Sequence, residues 1–218
     1  MKDGLVHLCF VIDESGSMCN SVNDVVGGFK EFIEKQKADT EGQCIVSVYK
    51  FAGYVNNNYI GRDVHEIEDL KYQPMGSTAL FDAIGTAIDE IGIWLHNMKE
   101  EDRPCKNIIV IMTDGEENSS YKYTTPQVKE MIEHQTNKYD WDFIYLGTEL
   151  ADFDDANNLG IRTRSLSGRE NVYRNYTTIS NYASALKCAS NVEDREIAYG
   201  CLSNTLEADT NDYLDARN

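Results

Sequence analysis

"VIDESGSM", residues 11–18, decides how the rest of the chain is read. It closes an apolar run over residues 5–13, in which Leu5, Val6, Leu8, Phe10, Val11 and Ile12 lead up to Asp13. A run with so little alternation suits a strand buried on both faces of a parallel sheet. Beyond the carboxylate come Glu14 and two hydroxyls spaced by two, Ser15 and Ser17. Three chemistries fit a strand that ends this way: a nucleophile, a metal site or a helix cap.

Outward from that stretch, strands and helices take turns. Ser21 with Asp24 three residues on reads as a helix start, and Val22, Val25, Val26, Phe29, Phe32 and Ile33 follow at helical spacing. Gly27 and Gly28 lie inside this helix and cost it about 1 kcal/mol each relative to Ala; close packing on the sheet is the expected reason. Residues 44–51 form a second strand, rich in β-branched and aromatic residues. Residues 54–60 form a short third strand, antiparallel because its connection is too short for a crossover, with Asn56, Asn57 and Asn58 suited to an exposed edge. Residues 78–98 make one broad apolar helical stripe. Residues 107–113, "NIIVIMT", are the most apolar strand and are expected near the centre. Thr125 reads as a cap, with Pro126 in the first turn of a helix that has Val128, Met131 and Ile132 on one face. A strand at 141–147, a short helix at 153–159 stopped by Gly160, a last strand at 161–166 and helices at 169–187 and 193–214 complete the order. Alternation of this kind predicts an α/β fold with a mostly parallel sheet covered on both faces. Such sheets carry their sites in loops beyond the carboxyl ends of the strands.

The 218 residues have a net charge of -17, which opposes binding to phosphate backbones and anionic membranes. No nucleic acid and no membrane are therefore expected as partners. The bland reading of so many acids is a solvated surface. No run is long enough to cross a bilayer. The N-terminal apolar stretch is short, broken by His7 and followed by no small-residue cleavage site, so a cytoplasmic location is expected. The six cysteines then read as reduced thiols, and without a C-x-x-C pair a zinc site is not expected. Cys19, beside the Asp13 loop, is expected to be a bystander. His7, His65, His96 and His134 are scattered without ligand spacing, and His7 is expected inside the sheet.

Three loops should meet at one end of the sheet. They hold Asp13, Ser15 and Ser17 after the first strand, Thr78 in "MGSTALFDAIG" before the long helix, and Asp114 in "TDGEEN" after the most apolar strand. Each supplies hard oxygen atoms, the donor type that suits Mg²⁺, with Mn²⁺ or Ca²⁺ as alternatives. Gly16, Gly76 and Gly115 allow tight turns beside an ion. Asp13 or Ser15 alone would read as a helix cap; the matching loops favour the metal. Asp82 is expected to favour the positive end of the helix that follows Thr78, the alternative being that it holds a metal-bound water or a hydroxyl. Glu14, Glu116 and Glu117 are expected to point to solvent and raise the negative potential. Tyr121 and Tyr123 suit either a binding rim or a solvated loop.

The strings "FVIDESGSM", "GFKEFIEKQK", "YQPMGSTALFDAIG" and "IVIMTDGEEN" resemble the von Willebrand factor type A domain with its metal-ion-dependent adhesion site (MIDAS), in the small intracellular form of bacteria and phages. The resemblance runs over about residues 4–190 and rests on three spaced motifs in order, each at the expected junction. It implies a Rossmann-like, doubly wound sheet of six strands, order 3-2-1-4-5-6, with strand 3 antiparallel. It also implies a domain over residues 1–190 with a C-terminal helical extension at 191–218: a lid, an oligomer contact or a helix capping a sheet edge. The implied ligands are Ser15, Ser17 and Thr78, with Asp13 and Asp114 acting directly or through water. The implied function is non-enzymatic binding of a protein partner that presents Asp or Glu to the metal. Two other functions compete. An acidic decoy or antagonist would draw on the net charge and on Glu207, Asp209, Asp212 and Asp215. A metal-dependent phosphohydrolase would need an acid where Ser15 stands, and no paired base and nucleophile is visible.

Overall fold

In the computed structural model, which describes residues 1–147, 152–161, 163–166, 172–189 and 191–215, the opening apolar run becomes the inner part of β1 (Lys2–Asp13). It pairs in parallel with β2 (Gln43–Phe51) on one side and β4 (Pro104–Met112) on the other. Successive side chains of β1 feed opposite faces, as the strand pleat requires. Val6, Leu8, Phe10 and Ile12 enter one core with Val25, Phe29 and Phe32 of α1 (Val22–Ala38) and with Tyr176 and Ile179 of α5 (Val172–Cys188). Cys9 and Val11 enter the other, with Ile84 and Ile88 of α2 (Leu80–Asn97) and Val128 and Ile132 of α3 (Thr125–Tyr139). Burial on both faces explains why β1 and β4 read as unbroken apolar runs.

The strand order is β3-β2-β1-β4-β5-β6. β3 (Val55–Asp63) is antiparallel to β2 and forms the exposed edge, with Asn56, Asn57 and Asn58 outward. β5 (Asp142–Gly147) is parallel to β4. The expected order 3-2-1-4-5 and the antiparallel edge are therefore present. Beyond β5, the four residues of β6 (Thr163–Leu166) add a short parallel ladder. The short α4 (Asp152–Asn158) places Ala156 in the α2 and α3 core. α6 (Val192–Asp215) packs along α5 and β6, burying Leu202 in the core of α1 and α5. The expected helix start at Arg169 and the side chains of Glu207, Asp209, Asp212 and Asp215 lie outside the described residues.

Local details differ from expectation where a distant contact decides. Ser21 flanks α1 but makes no cap bond, and its hydroxyl is buried without a partner. The cap of α3 is Thr124, in a reciprocal box with Gln127, which moves Thr125 into the first turn. Gly28 packs on a helix, not on the sheet: a β-carbon there would lie 2.3 Å from the Tyr176 ring, while Gly27 has nothing within 4 Å. His7 is buried and hydrogen-bonded to Asn107 and Ser47. Among the described residues no helix is long and apolar enough to cross a membrane.

Candidate metal centre

β1 delivers Asp13, fully buried, to the carboxyl end of the sheet. One oxygen accepts the backbone N–H of Ser15 at 2.7 Å and the other accepts the hydroxyl of Thr113 at 2.6 Å. The carboxylate thus turns its own loop and ties the end of β1 to the end of β4. The second loop is zipped to the first: Gly16 N donates to Gly76 O at 3.0 Å and Met75 N to Glu14 O at 2.8 Å. The hydroxyls of Ser15 and Ser17 are 2.9 Å apart, and Ser17 Oγ donates to Asp114 Oδ1 at 2.5 Å. Ser17 is exposed whereas Ser15 and Thr78 are buried, so the cluster opens to solvent on one side.

Thr78 is held by its backbone. Its N–H donates to Asn118 Oδ1 at 2.9 Å, and its carbonyl accepts Asn118 N at 3.0 Å and Ser119 N at 3.2 Å. This clamp sets its hydroxyl against the other loops. A β-carbon at Gly115 would stand 3.3 Å from both Ser17 Oγ and Thr78 Oγ1 and 3.9 Å from Asp13 Oδ2. Oxygen atoms from the first two loops therefore face the small space that the glycine of the third leaves open. The five residues singled out in the sequence meet at this end of the sheet, linked by these contacts. Their donor set, three hydroxyls and two carboxylates, fits a hard dication. Among the described residues no group of three His, Cys, Asp or Glu could hold a metal.

Burial pushes the Asp13 carboxyl up to about 6; its bonds from Thr113 and Ser15 oppose the rise and the charge of Asp114 adds to it. Two acids held this close in a desolvated site suit a cation.

Three neighbouring acids behave differently from expectation. Glu14 is buried and paired with Lys50 at 2.8 Å, and it accepts Gln73 N at 2.7 Å. Glu117 is turned inward, accepting the N–H groups of Phe81, Ser119 and Ser120 and the Ser120 hydroxyl. Asp82 accepts the N–H groups of Tyr121, Lys122 and Tyr123 at 2.9–3.0 Å, fixing the loop after β4 rather than only serving its own helix. Only Glu116 of the three glutamates is exposed. Thr113 and Asn118 are supports of the candidate site, bonded to Asp13 and Thr78, that pattern reading passed over. The Asn-Ser-Ser run at 118–120 signals side-chain bonding to backbone, but nothing local names Thr78 as its target. Cys19 is exposed, its sulfur 3.9 Å from Pro74 O and outside the cluster.

The sequence profile of the von Willebrand factor type A domain matches residues 7–185. This chain belongs to the von Willebrand factor type A family. Solved structures of the same fold include the ArnB paralog VWA2 from Sulfolobus acidocaldarius, with TM-score 0.52 and 16% identity over 83% of this chain and 45% of that one. The pilus adhesin SpaC from Lactobacillus rhamnosus GG gives TM-score 0.64 and 14% identity over 85% of this chain and 30% of that one. Proximal thread matrix protein 1 from the mussel byssus, a structure with a zinc-occupied MIDAS motif, gives TM-score 0.56 and 15% identity over 84% of this chain and 47% of that one. The type A chain spans under half the length of each of these three proteins. Comparison with curated proteins gives no match.

Proposed function

We propose that this type A domain is a non-enzymatic, metal-dependent protein-binding module whose ion is held by Asp13, Ser15, Ser17, Thr78 and Asp114. The observation that carries the reading is the convergence of Ser17, Thr78 and Asp13 oxygens around Gly115. The zinc in the MIDAS motif of the mussel protein supports a metal at this place in the fold. Oxygen donors without thiolate or imidazole favour Mg²⁺ here, with Mn²⁺ or Ca²⁺ next. When bound, the dication supplies a Lewis-acidic charge that accepts an Asp or Glu carboxylate from a partner. The chain's own residues set how strong that charge stays, since three of its five donors are neutral hydroxyls.

Binding rather than turnover fits the surroundings. Ser17 donates to a carboxylate, not to an imidazole, and His7 is engaged inside the sheet by Asn107 and Ser47. A nucleophilic serine needs a base that can take its proton. A cytoplasmic setting belongs to the same proposal, supported by six cysteines that stand as free thiols.

The test is thermal unfolding of the chelator-stripped chain with and without MgCl₂. The metal is expected to raise the melting temperature, and Ser15→Ala with Ser17→Ala to abolish the rise. A rise of equal size in the double variant overturns the ligand assignment.

A further inference from the structure

The rim of the candidate metal centre has an unexpected composition for so acidic a chain. Glu14 is neutralised by Lys50, and Asp82 and Glu117 are saturated by backbone N–H groups. Beside the exposed Glu116 and several neutral polar residues, the loops around the centre present three large side chains with apolar surface. Tyr121 is 89% exposed, Met75 60% and Tyr54 52%. Each stands on a different loop, and all three loops are fastened to residues 76–82. The turn before Tyr54 accepts Ala79 N at Ala52 O, 2.7 Å. Met75 adjoins Gly76, whose carbonyl accepts Gly16 N. Tyr121 N donates to Asp82 at 3.0 Å.

Isolated exposed apolar side chains need no explanation, but several grouped around one polar site mark an interaction surface. Tyrosine is favoured as an anchor in such surfaces. A loop already held by the carboxylates of Asp82 and Glu117 loses little freedom on binding.

We propose that Tyr54, Met75 and Tyr121 form an apolar collar around the metal centre, and that the partner is a protein segment whose Asp or Glu is flanked by large apolar side chains. The proposal rests on the metal-dependent binding function argued above. Charge complementarity selects the acidic segment. Glu14, Asp82 and Glu117 are spent internally and Glu116 stays exposed, while Lys71 and Lys122 are exposed on the loops that carry Met75 and Tyr121. The collar then separates an acid with apolar neighbours from the many acids that have none.

A phage-displayed random dodecapeptide library, captured on the full chain in MgCl₂ and released with EDTA, tests this. The released pool is expected to be enriched in Asp or Glu with an aromatic or aliphatic residue within three positions. The variant Tyr54→Ser with Met75→Ser and Tyr121→Ser is expected to keep the Mg²⁺-induced rise in melting temperature. It should bind the best peptides at least tenfold more weakly by fluorescence anisotropy, and Tyr121→Ser alone should show part of that loss. A pool without apolar preference, an empty pool, or peptides that bind the triple variant within twofold of wild type overturns the collar while the metal response stands. Absence of any Mg²⁺ response in the wild-type chain overturns the metal centre, and the collar falls with it.

Discussion

Burial lifts the Asp13 carboxyl to about 6 from an ordinary 3.8, which gives the metal-free chain a definite pH signature. Between those values the native state holds a proton that the unfolded state has released, so stability falls as pH rises through the window. Above it, the ionised buried acid costs about 3 kcal/mol, at roughly 1.4 kcal/mol per pKa unit. Asp13→Asn, stripped of metal, is therefore expected to be more stable than wild type by about 1–3 kcal/mol at pH 7.5, with the gap closing towards pH 4. Urea unfolding at the two pH values measures this, and a less stable variant at pH 7.5 contradicts it. His7 works in the opposite sense. Burial lowers it to about 4 from 6.5 despite its bond with Asn107, so the unfolded state binds the extra proton. Stability is then lost as pH falls from 6.5 to 4, by about 3 kcal/mol. In His7→Gln, urea unfolding is expected to show about that much less loss across the same window; an unchanged pH slope contradicts it. The metal-ligand candidates were legible at this scale because a carboxylate, hydroxyls and glycines sit together at element junctions. Glu14 and Glu117 were not. Each finds a partner 36 residues away, Lys50 and the Phe81 N–H, and such contacts leave no periodic trace.

Elements were read from apolar spacing, which survives because each strand and helix buries a continuous face. What spacing does not reveal is which neighbour covers that face. Gly27 and Gly28 look alike in the sequence, yet only Gly28 lies under the Tyr176 ring. Gly28→Ala is expected to destabilise the chain by about 1–3 kcal/mol through overpacking. Gly27→Ala, meeting nothing within 4 Å, should stabilise it by about 0.5–1 kcal/mol through helix propensity. Chemical denaturation of the pair checks this, and equal effects would contradict the α1 and α5 contact. The loop after β4 offers a parallel case. Gly115 stands where a β-carbon would fill the space between Ser17 and Thr78. Gly115→Ala is expected to fold but to lose at least tenfold in Mg²⁺ affinity by titration calorimetry; full affinity would place the ion elsewhere. The caps show the same limit, since Thr124 and Thr125 are equivalent in composition and only the reciprocal bond with Gln127 chooses between them.

For the whole molecule, the net charge of -17 sets the terms of any metal experiment. A surface this acidic attracts cations without a site, so a background of about 0.15 M salt is needed to screen it. A specific ion present at about a hundredfold over its dissociation constant adds about 2.7 kcal/mol. For a chain of this size that is a rise of roughly 5–11 °C in melting temperature. The parallel sheet makes such a site natural, because β1 and β4 end side by side and bring Asp13 and Asp114 to one rim. Calorimetric titration of the chelator-stripped chain with MgCl₂ in screened buffer is the most direct measurement. One ion per chain is predicted, lost when Ser15→Ala and Ser17→Ala are combined. No saturable binding in the wild-type chain, or the same single site in the double variant, contradicts the account.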